Sequence, residues 1–490
     1  MALQPIVQVL REAAEREPHR PSITHETASV TRMELEAHTN RLARAYQELG
    51  VQQGDLVTIA LPNGIDFFEA TIATWKVGAT PQPVSARLPF LERDAIIDLA
   101  DPALIVGVED GQHGERASVP RGFQAAAELS TDPLLPDRVA SHHKAMTSGG
   151  STGRPKLIVS ANPAEVDLEI ESPMQVLPDR AHLVPGPLYH NAPFAFSLAA
   201  LVRGNHIVVL TRFDAEQALQ LIESHRVDYT VLVPTMMHRI WRLDRKLRDQ
   251  YDLSSLRVML HMAAPCPDWL KQDCIDWLGA ERIFELYGGT EAQGYTWING
   301  TEWLEHRGSV GKPAATCEMK ILAADGGELP AGEVGEVYIM PETGPGSTYH
   351  YVGAEAKVRS GWESLGDIGW MDEDGYLYLS DRHTDMILSG GANIYPAEIE
   401  AAIDAHPAVR SSAVIGLPDE DLGNRVHALV DAIGALQEDE LLDHLSAWLV
   451  RYKVPRSVEF VSHPLRDDAG KVRRSALRAE RIEDPEGLNS

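Results

Sequence analysis

The chain has 490 residues, of which 44% are hydrophobic and 24% are charged, a composition that excludes a disordered chain or a fibre. Its 72 acidic and 44 basic side chains give a formal net charge of -28, which repels phosphate backbones and excludes broad binding to nucleic acid or to an anionic membrane. At this length, roughly three structural units are expected.

The N-terminal segment has the pattern of an amphipathic helix and lacks the apolar core of a signal peptide. The three cysteines, Cys266, Cys274 and Cys317, form no C-x-x-C pair, and an odd number of them suits reduced thiols better than a disulfide framework. The apolar run at 192–202 is too short to span a bilayer. We therefore expect a cytoplasmic protein without a membrane span.

Short β-branched runs alternate with helical patterns along the first part of the chain. Strands are predicted at 55–61, 103–108, 206–210 and 229–234, and helices at 67–77 and 215–226. Continuous apolar strands separated by helices are typical of sheets that are covered on both faces. The pattern predicts an α/β protein.

The C-terminal part is predicted to be a smaller α+β unit that follows the polar stretch 380–385. Its predicted helices and strands are 396–405, 412–416, 426–430 and 438–451. We place the first domain at residues 1–381, a hinge at 382–385 and the second domain at 386–490.

The strongest local signal is the segment TSGGSTGRPK at 147–156. Its glycines allow a tight turn that points backbone N–H groups at an anion, and Lys156 adds a positive charge for phosphate. A Walker A loop needs G-x-x-x-x-G-K-[ST] before a helix, but here Pro155 precedes the lysine and a predicted strand follows it. A P-loop kinase or ATPase is therefore disfavoured, and an ordinary Gly/Ser loop is the alternative interpretation.

Three further segments carry candidate chemistry. In YGGTE at 287–291 an aromatic ring can stack on a purine and a carboxylate can hold Mg²⁺; a plain strand-end turn is the alternative. Asp367 can accept both hydroxyls of a ribose or be an ordinary turn aspartate. Lys471 follows a glycine turn, where most lysines are solvated surface residues.

In their order and spacing these segments resemble the adenylate-forming superfamily of acyl-CoA synthetases, adenylation domains and luciferases. The resemblance spans nearly the whole chain, and the segments 147–156, 287–291 and 381–400 are specific in combination. It implies a large N-terminal multi-sheet adenylate-forming domain and a small mobile α+β C-terminal domain that carries a catalytic lysine.

The resemblance implies a binding site for ATP and its product AMP. Tyr287 would stack on the adenine, Thr290 would contact the α-phosphate, and Asp367 would hold the ribose. Glu291 would bind Mg²⁺, with Thr152 as a further candidate ligand. The implied nucleotide-binding residues are Thr147, Ser148, Gly149, Gly150, Ser151, Thr152, Gly153, Lys156, Ala263, Ala264, Pro265, Tyr287, Gly288, Thr290, Asp367, Arg382 and Lys471.

The implied reaction has two halves. A carboxylate attacks the α-phosphorus of ATP and pyrophosphate leaves; the thiol of coenzyme A then displaces AMP after the small domain rotates. The implied catalytic residues are Lys471, Lys156, His190, Thr290 and Glu291.

The second half would use the C-terminal domain. Gly390 and Gly391 would border a tunnel for the pantetheine arm of coenzyme A. Thr384 stands where the family hinge is usually Asp or Lys, and Leu365 stands where the family usually has threonine. A basic group would either attract the nucleotide of coenzyme A or be a solvated face: Arg451, Lys453, Arg456, Arg473 and Arg474.

The acid-binding segments predict a wide pocket. The candidate substrate residues are His190, Asn191, Phe194, Gly289 and Ala292. Small residues such as Gly289 and Ala292 around a cleft leave room for a wide ligand, so we expect a bulky, cyclic or aryl carboxylic acid. No charged residue is placed to bind an amino group, which disfavours an amino acid.

An acid–CoA ligase is the leading interpretation, and the chain could form a homodimer. A stand-alone enzyme that loads an acyl carrier protein needs the same first half-reaction and stays open. A catalytically silent nucleotide- or acyl-binding protein is the interpretation from another class; the presence of Lys156, Glu291, Asp367, Arg382 and Lys471 speaks against it.

Overall fold

The computed structural model describes residues 3–149, 155–382, 385–389, 392–419, 421–468 and 470–483. Within these ranges no helix is both long and apolar enough to cross a membrane. The helices are α1 Ile6–Arg16, α2 Arg32–Glu48, α3 Ile65–Lys76, α4 Phe90–Ala100, α5 Asn191–Val202, α6 Ala215–Ser224, α7 Pro234–Trp241, α8 Arg245–Arg248, α9 Asp268–Leu278, α10 Gly300–Glu305, α11 Pro396–Asp404, α12 Glu438–Ser446 and α13 Arg474–Glu483.

The strands supply the sheets on which the cleft is built. In chain order they are β1 Gln4–Pro5, β2 Pro21–His25, β3 Ala28–Thr31, β4 Leu56–Ile59, β5 Thr80–Pro83, β6 Leu104–Val106, β7 Ser118–Val119, β8 Ala145–Gly149, β9 Pro155–Ser160, β10 Glu165–Val166, β11 Ala181–Val184, β12 His206–Val209, β13 Tyr229–Leu232, β14 Val258–His261, β15 Ile283–Gly288, β16 Tyr295–Asn299, β17 Ser309–Pro313, β18 Cys317–Leu322, β19 Gly335–Pro341, β20 Tyr349–Val352, β21 Lys357–Arg359, β22 Trp362–Ser364, β23 Asp367–Met371, β24 Leu377–Arg382, β25 Ile387–Ser389, β26 Ala392–Ile394, β27 Val409–Asp419, β28 Gly423–Ala432 and β29 Ser457–Val461.

One large mixed sheet runs through the N-terminal part. Its parallel half has the order β15-β14-β13-β11-β12-β2, and its antiparallel half continues from β15 through β16, β17, β24, β23 and β19. Alternate residues of β12 enter two separate apolar cores, Ile207 and Val209 on one face and Val208 on the other. Both faces of the sheet are therefore covered, which confirms the predicted α/β class.

Three smaller sheets complete the described N-terminal part. β5, β4, β6 and β7 form a parallel sheet, β8, β9 and β20 form an antiparallel one, and β1 pairs antiparallel with β10. The predicted strand at 229–234 is shorter than expected, because Pro234 starts α7, where its fixed φ angle favours the first helical turn.

The C-terminal residues form the expected small α+β unit. β27 and β28 pair antiparallel, β29 adds to β28 in parallel, and α11 and α12 pack their buried residues into the same core. The predicted helix at 438–451 is too long, since α12 ends at Ser446. Past Ser446 the backbone N–H groups of Ala447 and Trp448 bond the carbonyls three residues back, those of His444 and Leu445, which is the tighter pattern of a helix end.

Glu400 holds the C-terminal unit together through buried charge. Its carboxylate accepts hydrogen bonds from Arg466, Arg474 and the backbone N–H of Val414, each at 2.8 Å. Burial alone would raise the pKa of Glu400, but Arg474 and Arg466 hold that pKa below its ordinary value. The ionised carboxylate therefore stabilises the folded state.

We expect Glu400→Gln to lower the free energy of unfolding at pH 7 by about 2–4 kcal/mol, because two guanidinium groups lose their buried anion. Urea unfolding measures this loss. Because the folded pKa is lowered, the difference between wild type and variant should shrink as the pH falls below the ordinary glutamate pKa, about 4.3. Glu398→Gln is the control: Glu398 is 46% exposed and pairs with Lys453, so its loss should cost less than about 1 kcal/mol. Equal losses of unfolding free energy in Glu400→Gln and Glu398→Gln would contradict the assignment of Glu400 as a buried, stabilising anion.

Candidate active site

One large cleft, about 2260 Å³ in volume, lies between the large sheet and the C-terminal unit. Most of the residues singled out in the sequence meet on its walls. They are Thr147, Ser148, Lys156, His190, Asn191, Ala263, Ala264, Pro265, Tyr287, Gly288, Gly289, Thr290, Glu291, Ala292, Asp367 and Lys471. Those that lie outside the described residues are Gly150, Ser151, Thr152, Gly153, Thr384, Gly390 and Gly391.

The described ends of the Gly/Ser-rich segment lie on two paired antiparallel strands. β8 pairs with β9 so that Ser148 lies opposite Lys156 and Gly149 opposite Pro155. A strand, and not a helix, follows the lysine, which separates this loop from a Walker A loop. The hydroxyl of Thr147 accepts a hydrogen bond of 2.7 Å from Gln82, whose amide oxygen accepts one from Thr58. No spacing in the sequence linked Gln82 to this loop.

Lys156 and Glu291 lie together beside an aromatic ring. The Lys156 ammonium is 3.6 Å from the Glu291 carboxylate and 3.8 Å from the centre of the Tyr351 ring. The Tyr351 hydroxyl donates a 2.6 Å hydrogen bond to the same carboxylate oxygen. Burial and the charge of Glu291 raise the pKa of Tyr351, so this tyrosine stays a neutral donor. No local pattern in the sequence indicated Tyr351.

The donor set around Glu291 suits a magnesium ion that arrives with phosphate. Glu291 is only 6% exposed, and no group of three or more His, Cys, Asp or Glu side chains placed to hold a metal occurs in the described ranges. Mg²⁺ is usually bound by one or two carboxylates together with substrate phosphates and water, rather than by an all-protein cage. A single carboxylate next to a lysine fits that mode.

Tyr287 and Asp367 form another part of the cleft wall. The Tyr287 hydroxyl donates a 2.7 Å hydrogen bond to the Asp367 carboxylate, and Asp367 lies opposite Arg382 in the pairing of β23 with β24. The side chain of Arg382 lies outside the described part of the structure. The family resemblance assigned Tyr287, Asp367 and Arg382 to one nucleoside. The pairing of β23 with β24 brings the backbones of Asp367 and Arg382 together, and the Tyr287 hydroxyl reaches Asp367.

The segment predicted to line the adenine follows β14 directly. Ala263 has a φ of 74°, a left-handed conformation that is unusual for a residue other than glycine and marks a backbone held in place by its surroundings. Lys271 and Glu285, which also line the cleft, form a buried ion pair, and burial raises the pKa of Glu285.

His190 stands at the start of α5 without capping it, because its side chain makes no cap hydrogen bond. Its Nε2 is buried and has no hydrogen-bond partner in the described part of the chain. Burial, and then the charge of Lys471, lower the pKa of His190 to about 4. The imidazole is therefore neutral at pH 7 and close to Lys471.

The turn that carries Lys471 packs against the N-terminal part. A Cβ atom on Gly470 would lie 3.2 Å from the Thr235 hydroxyl. Arg87 pairs with Asp468, and Arg473 pairs with Glu92 at 3.2 Å. The turn that carries Lys471 and the strand pair β8–β9 therefore line the same cleft.

The structure corrects the interpretation of two substrate residues. Phe194 is 1% exposed and packs edge-to-face against Phe67 in the core, so it does not line the cleft; Phe196 does. A Cβ atom on Gly289 would lie 2.7 Å from both Leu365 and the Glu291 carboxylate. The missing side chain of Gly289 therefore makes room for these two residues and not for a wider acid.

The basic group is also smaller than expected. Arg474 is bound to Asp385 and Glu400, and Lys453 is bound to Glu398. Arg473 pairs with Glu92, while Arg451 and Arg456 are exposed.

Comparison with known proteins agrees with the geometry. The family model of the AMP-binding enzyme matches residues 10–349, and that of the AMP-binding enzyme C-terminal domain matches residues 398–471. Feruloyl-CoA synthase of Amycolatopsis sp is 33% identical, over 95% of this chain and 96% of that protein. 2-Succinylbenzoate–CoA ligase of Bacillus cereus is 28% identical, over 94% of this chain and 96% of that protein.

A solved structure extends the likeness to the fold. The o-succinylbenzoate CoA synthetase of Bacillus subtilis, in complex with its acyl-adenylate intermediate, is 25% identical and has a TM-score of 0.80, covering 98% of this chain and 99% of that chain. The same protein in complex with ATP and a magnesium ion also has a TM-score of 0.80 and 25% identity, covering 97% of this chain and 100% of that chain.

Proposed function

The chain belongs to the AMP-binding enzyme family, and from this membership we propose that it is an ATP-dependent ligase that joins a bulky, cyclic or aryl carboxylic acid to coenzyme A. The observation that carries the proposal is the meeting of Lys156, Tyr287, Glu291, Asp367 and Lys471 on the walls of one cleft. Its relatives named above act on feruloyl and succinylbenzoate groups, which supports an aryl acid.

In the first half-reaction a carboxylate oxygen of the acid attacks the α-phosphorus of ATP, and the bond to pyrophosphate breaks. Two anions approach each other, so positive charge is needed where negative charge accumulates. We assign Lys471 to the α-phosphate and the carboxylate, and Lys156 to the outer phosphates. Magnesium, held by Glu291 and the phosphates, supplies further charge neutralisation when bound.

We assign neutral His190 as the residue that closes the cleft where the acid binds. An uncharged imidazole near Lys471 adds no second cation that would compete for the carboxylate. Its buried, unpartnered nitrogen in the described structure offers a hydrogen bond to the bound acid. Closing the cleft also keeps water from the reactive mixed anhydride.

In the second half-reaction the thiol of coenzyme A loses its proton to solvent, its sulfur bonds to the acyl carbon, and the bond from that carbon to the phosphate oxygen of AMP breaks, so that AMP leaves. Rotation of the C-terminal unit requires the Arg87–Asp468 and Arg473–Glu92 pairs to separate. Both involve exposed side chains, and exposed ion pairs cost little to break. Arg451 and Arg456 are exposed and pair with no carboxylate among the described residues, so we assign the nucleotide of coenzyme A to them.

Asp367→Asn should raise the KM for ATP by about 10- to 100-fold, because a charged acceptor for ribose hydroxyls is lost. The kcat should change little, since this contact is the same in the ground state and the transition state. Steady-state kinetics with varied ATP measure both constants. Asp372→Asn is the control, because Asp372 bonds Tyr378 at the turn before β24. An unchanged KM in Asp367→Asn would reject the ribose assignment.

The proposed function is tested by ATP–pyrophosphate exchange with a panel of acetate, octanoate, benzoate and a steroid-type acid. Exchange that depends on a wide acid supports the proposal, and a clear preference for acetate rejects the wide acid. Release of AMP with free coenzyme A, compared with release with a holo-carrier protein, decides the acceptor. Absence of exchange with every acid would favour a catalytically silent binding protein.

We also infer a cytoplasmic location. Cys266, Cys274 and Cys317 are all free thiols, and free thiols are usual in reducing compartments. Burial raises the pKa of Cys274 to about 12, which keeps that thiol protonated and unreactive.

A further inference from the structure

Lys144 is a buried cation on the wall of the cleft, and the reaction described above does not use it. It is 6% exposed and precedes β8, the strand that leads to the Gly/Ser-rich loop. Its ammonium donates one hydrogen bond of 2.5 Å, to the side-chain oxygen of Asn191. Among the described residues no carboxylate pairs with it. Burial alone lowers the pKa of Lys144 to about 8.

Lys144 lies on the cleft wall, at the other end of β8 from the Gly/Ser-rich loop. Lys144 directly precedes β8, and Met146 and Ser148 of that strand line the cleft with it. At about 3.3 Å per residue, Lys144 is about 13 Å along the chain from Ser148. Met146, Met174, Val176 and Phe196 line the cleft with it. Lys144 therefore adds a cation to an apolar part of the cleft wall, away from the Gly/Ser-rich loop.

The start of α5 adds a second positive feature at the same place. Asn191, which accepts the hydrogen bond from Lys144, is the first residue of α5, and the N-terminal end of a helix carries partial positive charge. The first turn of α5 has no acidic residue and no side-chain cap. A buried ammonium beside this helix end is disfavoured twice, by desolvation and by the dipole.

A purely structural role explains this arrangement poorly. An ammonium has three donors, and one amide oxygen satisfies only one of them. Lys76, also buried, shows how this chain stabilises such a group: its ammonium bonds Asn40 and pairs with Glu36 at 2.7 Å. Lys144 has the amide and lacks the carboxylate. An anion from outside the chain would supply the missing partner.

We propose that the acid substrate carries a second ionised oxygen group at its far end, and that Lys144 and the start of α5 bind this group. The inference rests on the proposed function and narrows its substrate class. A carboxylate or a phenolate would each supply the ionised oxygen. The group is bound and not transformed, so Lys144 determines specificity and takes no part in bond formation.

The test compares trans-cinnamic acid with its 4-carboxy and 4-hydroxy derivatives in ATP–pyrophosphate exchange. In wild type, kcat/KM for the 4-carboxy acid should exceed that for cinnamic acid by about 10- to 100-fold, the usual effect of a charged hydrogen bond. In Lys144→Met this ratio should fall to about 1. Because the ratio compares two acids on one variant, a general loss of activity cancels. The 4-hydroxy acid identifies the bound group: a Lys144-dependent preference for it indicates a phenolate, and a Lys144-dependent preference for the 4-carboxy acid indicates a carboxylate.

Asn191→Asp is the companion variant. It places a carboxylate of the protein beside Lys144, so it should remove the preference for the 4-carboxy acid while the ammonium stays. An equal ratio in wild type and Lys144→Met, for both derivatives, would overturn the inference. If no acid supports exchange, the proposed function fails by itself. Calorimetric titration with 4-carboxycinnamate then tests Lys144 directly: weaker binding to Lys144→Met supports the inference, and equal binding overturns it.

Discussion

Replacing Lys471 by alanine is expected to lower the rate of adenylation by about 10²–10³-fold, the usual cost of one lost charge stabiliser in a transition state. Lys471 lines the cleft and lies close enough to His190 to lower the pKa of that imidazole. The charge it would stabilise develops only as the carboxylate attacks phosphorus. The loss should therefore appear in kcat and in kcat/KM alike.

Thioester formation from supplied acyl-adenylate should be affected much less in the same variant, because that step no longer involves pyrophosphate release. Rapid-quench measurement of the two half-reactions separates them. Arg473→Ala is the matched control, since Arg473 lies on the same turn and pairs with exposed Glu92; adenylation should fall only slightly there. Equal losses in both half-reactions of Lys471→Ala would contradict the assigned role.

Replacing Glu291 by glutamine is expected to lower the adenylation rate by about 10²-fold and the apparent affinity for magnesium by about 10- to 100-fold. The amide keeps the shape of the carboxylate but removes its charge. It also leaves Lys156 without the anion that lies 3.6 Å away. Exchange activity measured over a range of magnesium concentrations gives both effects.

Glu363→Gln is the control for this experiment. Glu363 is as buried as Glu291 and accepts a 2.8 Å hydrogen bond from Gln293, but it does not contribute to the cleft wall. Its loss should lower thermal stability without a change in the magnesium dependence. The same magnesium shift in both variants would show that loss of a buried charge, and not of a ligand, is responsible.

Local signals identified the parts of the site that lie within single segments. The segment at 147–156 predicted a turn for an anion because glycines, hydroxyls and a lysine are contiguous. Its described ends lie on the paired strands β8 and β9, while residues 150–154 lie outside the described part of the chain. Tyr351 could not be predicted, because it reaches Glu291 through the pairing of β20 with β9. Gln82 and Lys144 were missed for the same reason, since their partners come from distant segments.

The two corrected residues show where local reasoning fails. Phe194 follows His190 closely, but α5 starts at Asn191, and helical rotation turns Phe194 into the core while Ala195 and Phe196 stay on the cleft. Gly289 was interpreted as space for a ligand because neighbouring side chains cannot be seen in a sequence. Leu365 and Glu291 use that space instead.

The most direct test of the central claim is the fate of the carboxylate oxygens. An acid labelled with heavy oxygen in its carboxylate is converted with ATP, magnesium and coenzyme A, and the AMP and pyrophosphate are examined by mass spectrometry. If the carboxylate attacks the α-phosphorus and the thiol then breaks the bond between the acyl carbon and that oxygen, each AMP should carry one labelled oxygen and pyrophosphate none. Label in pyrophosphate, or unlabelled AMP alongside thioester product, would contradict the account.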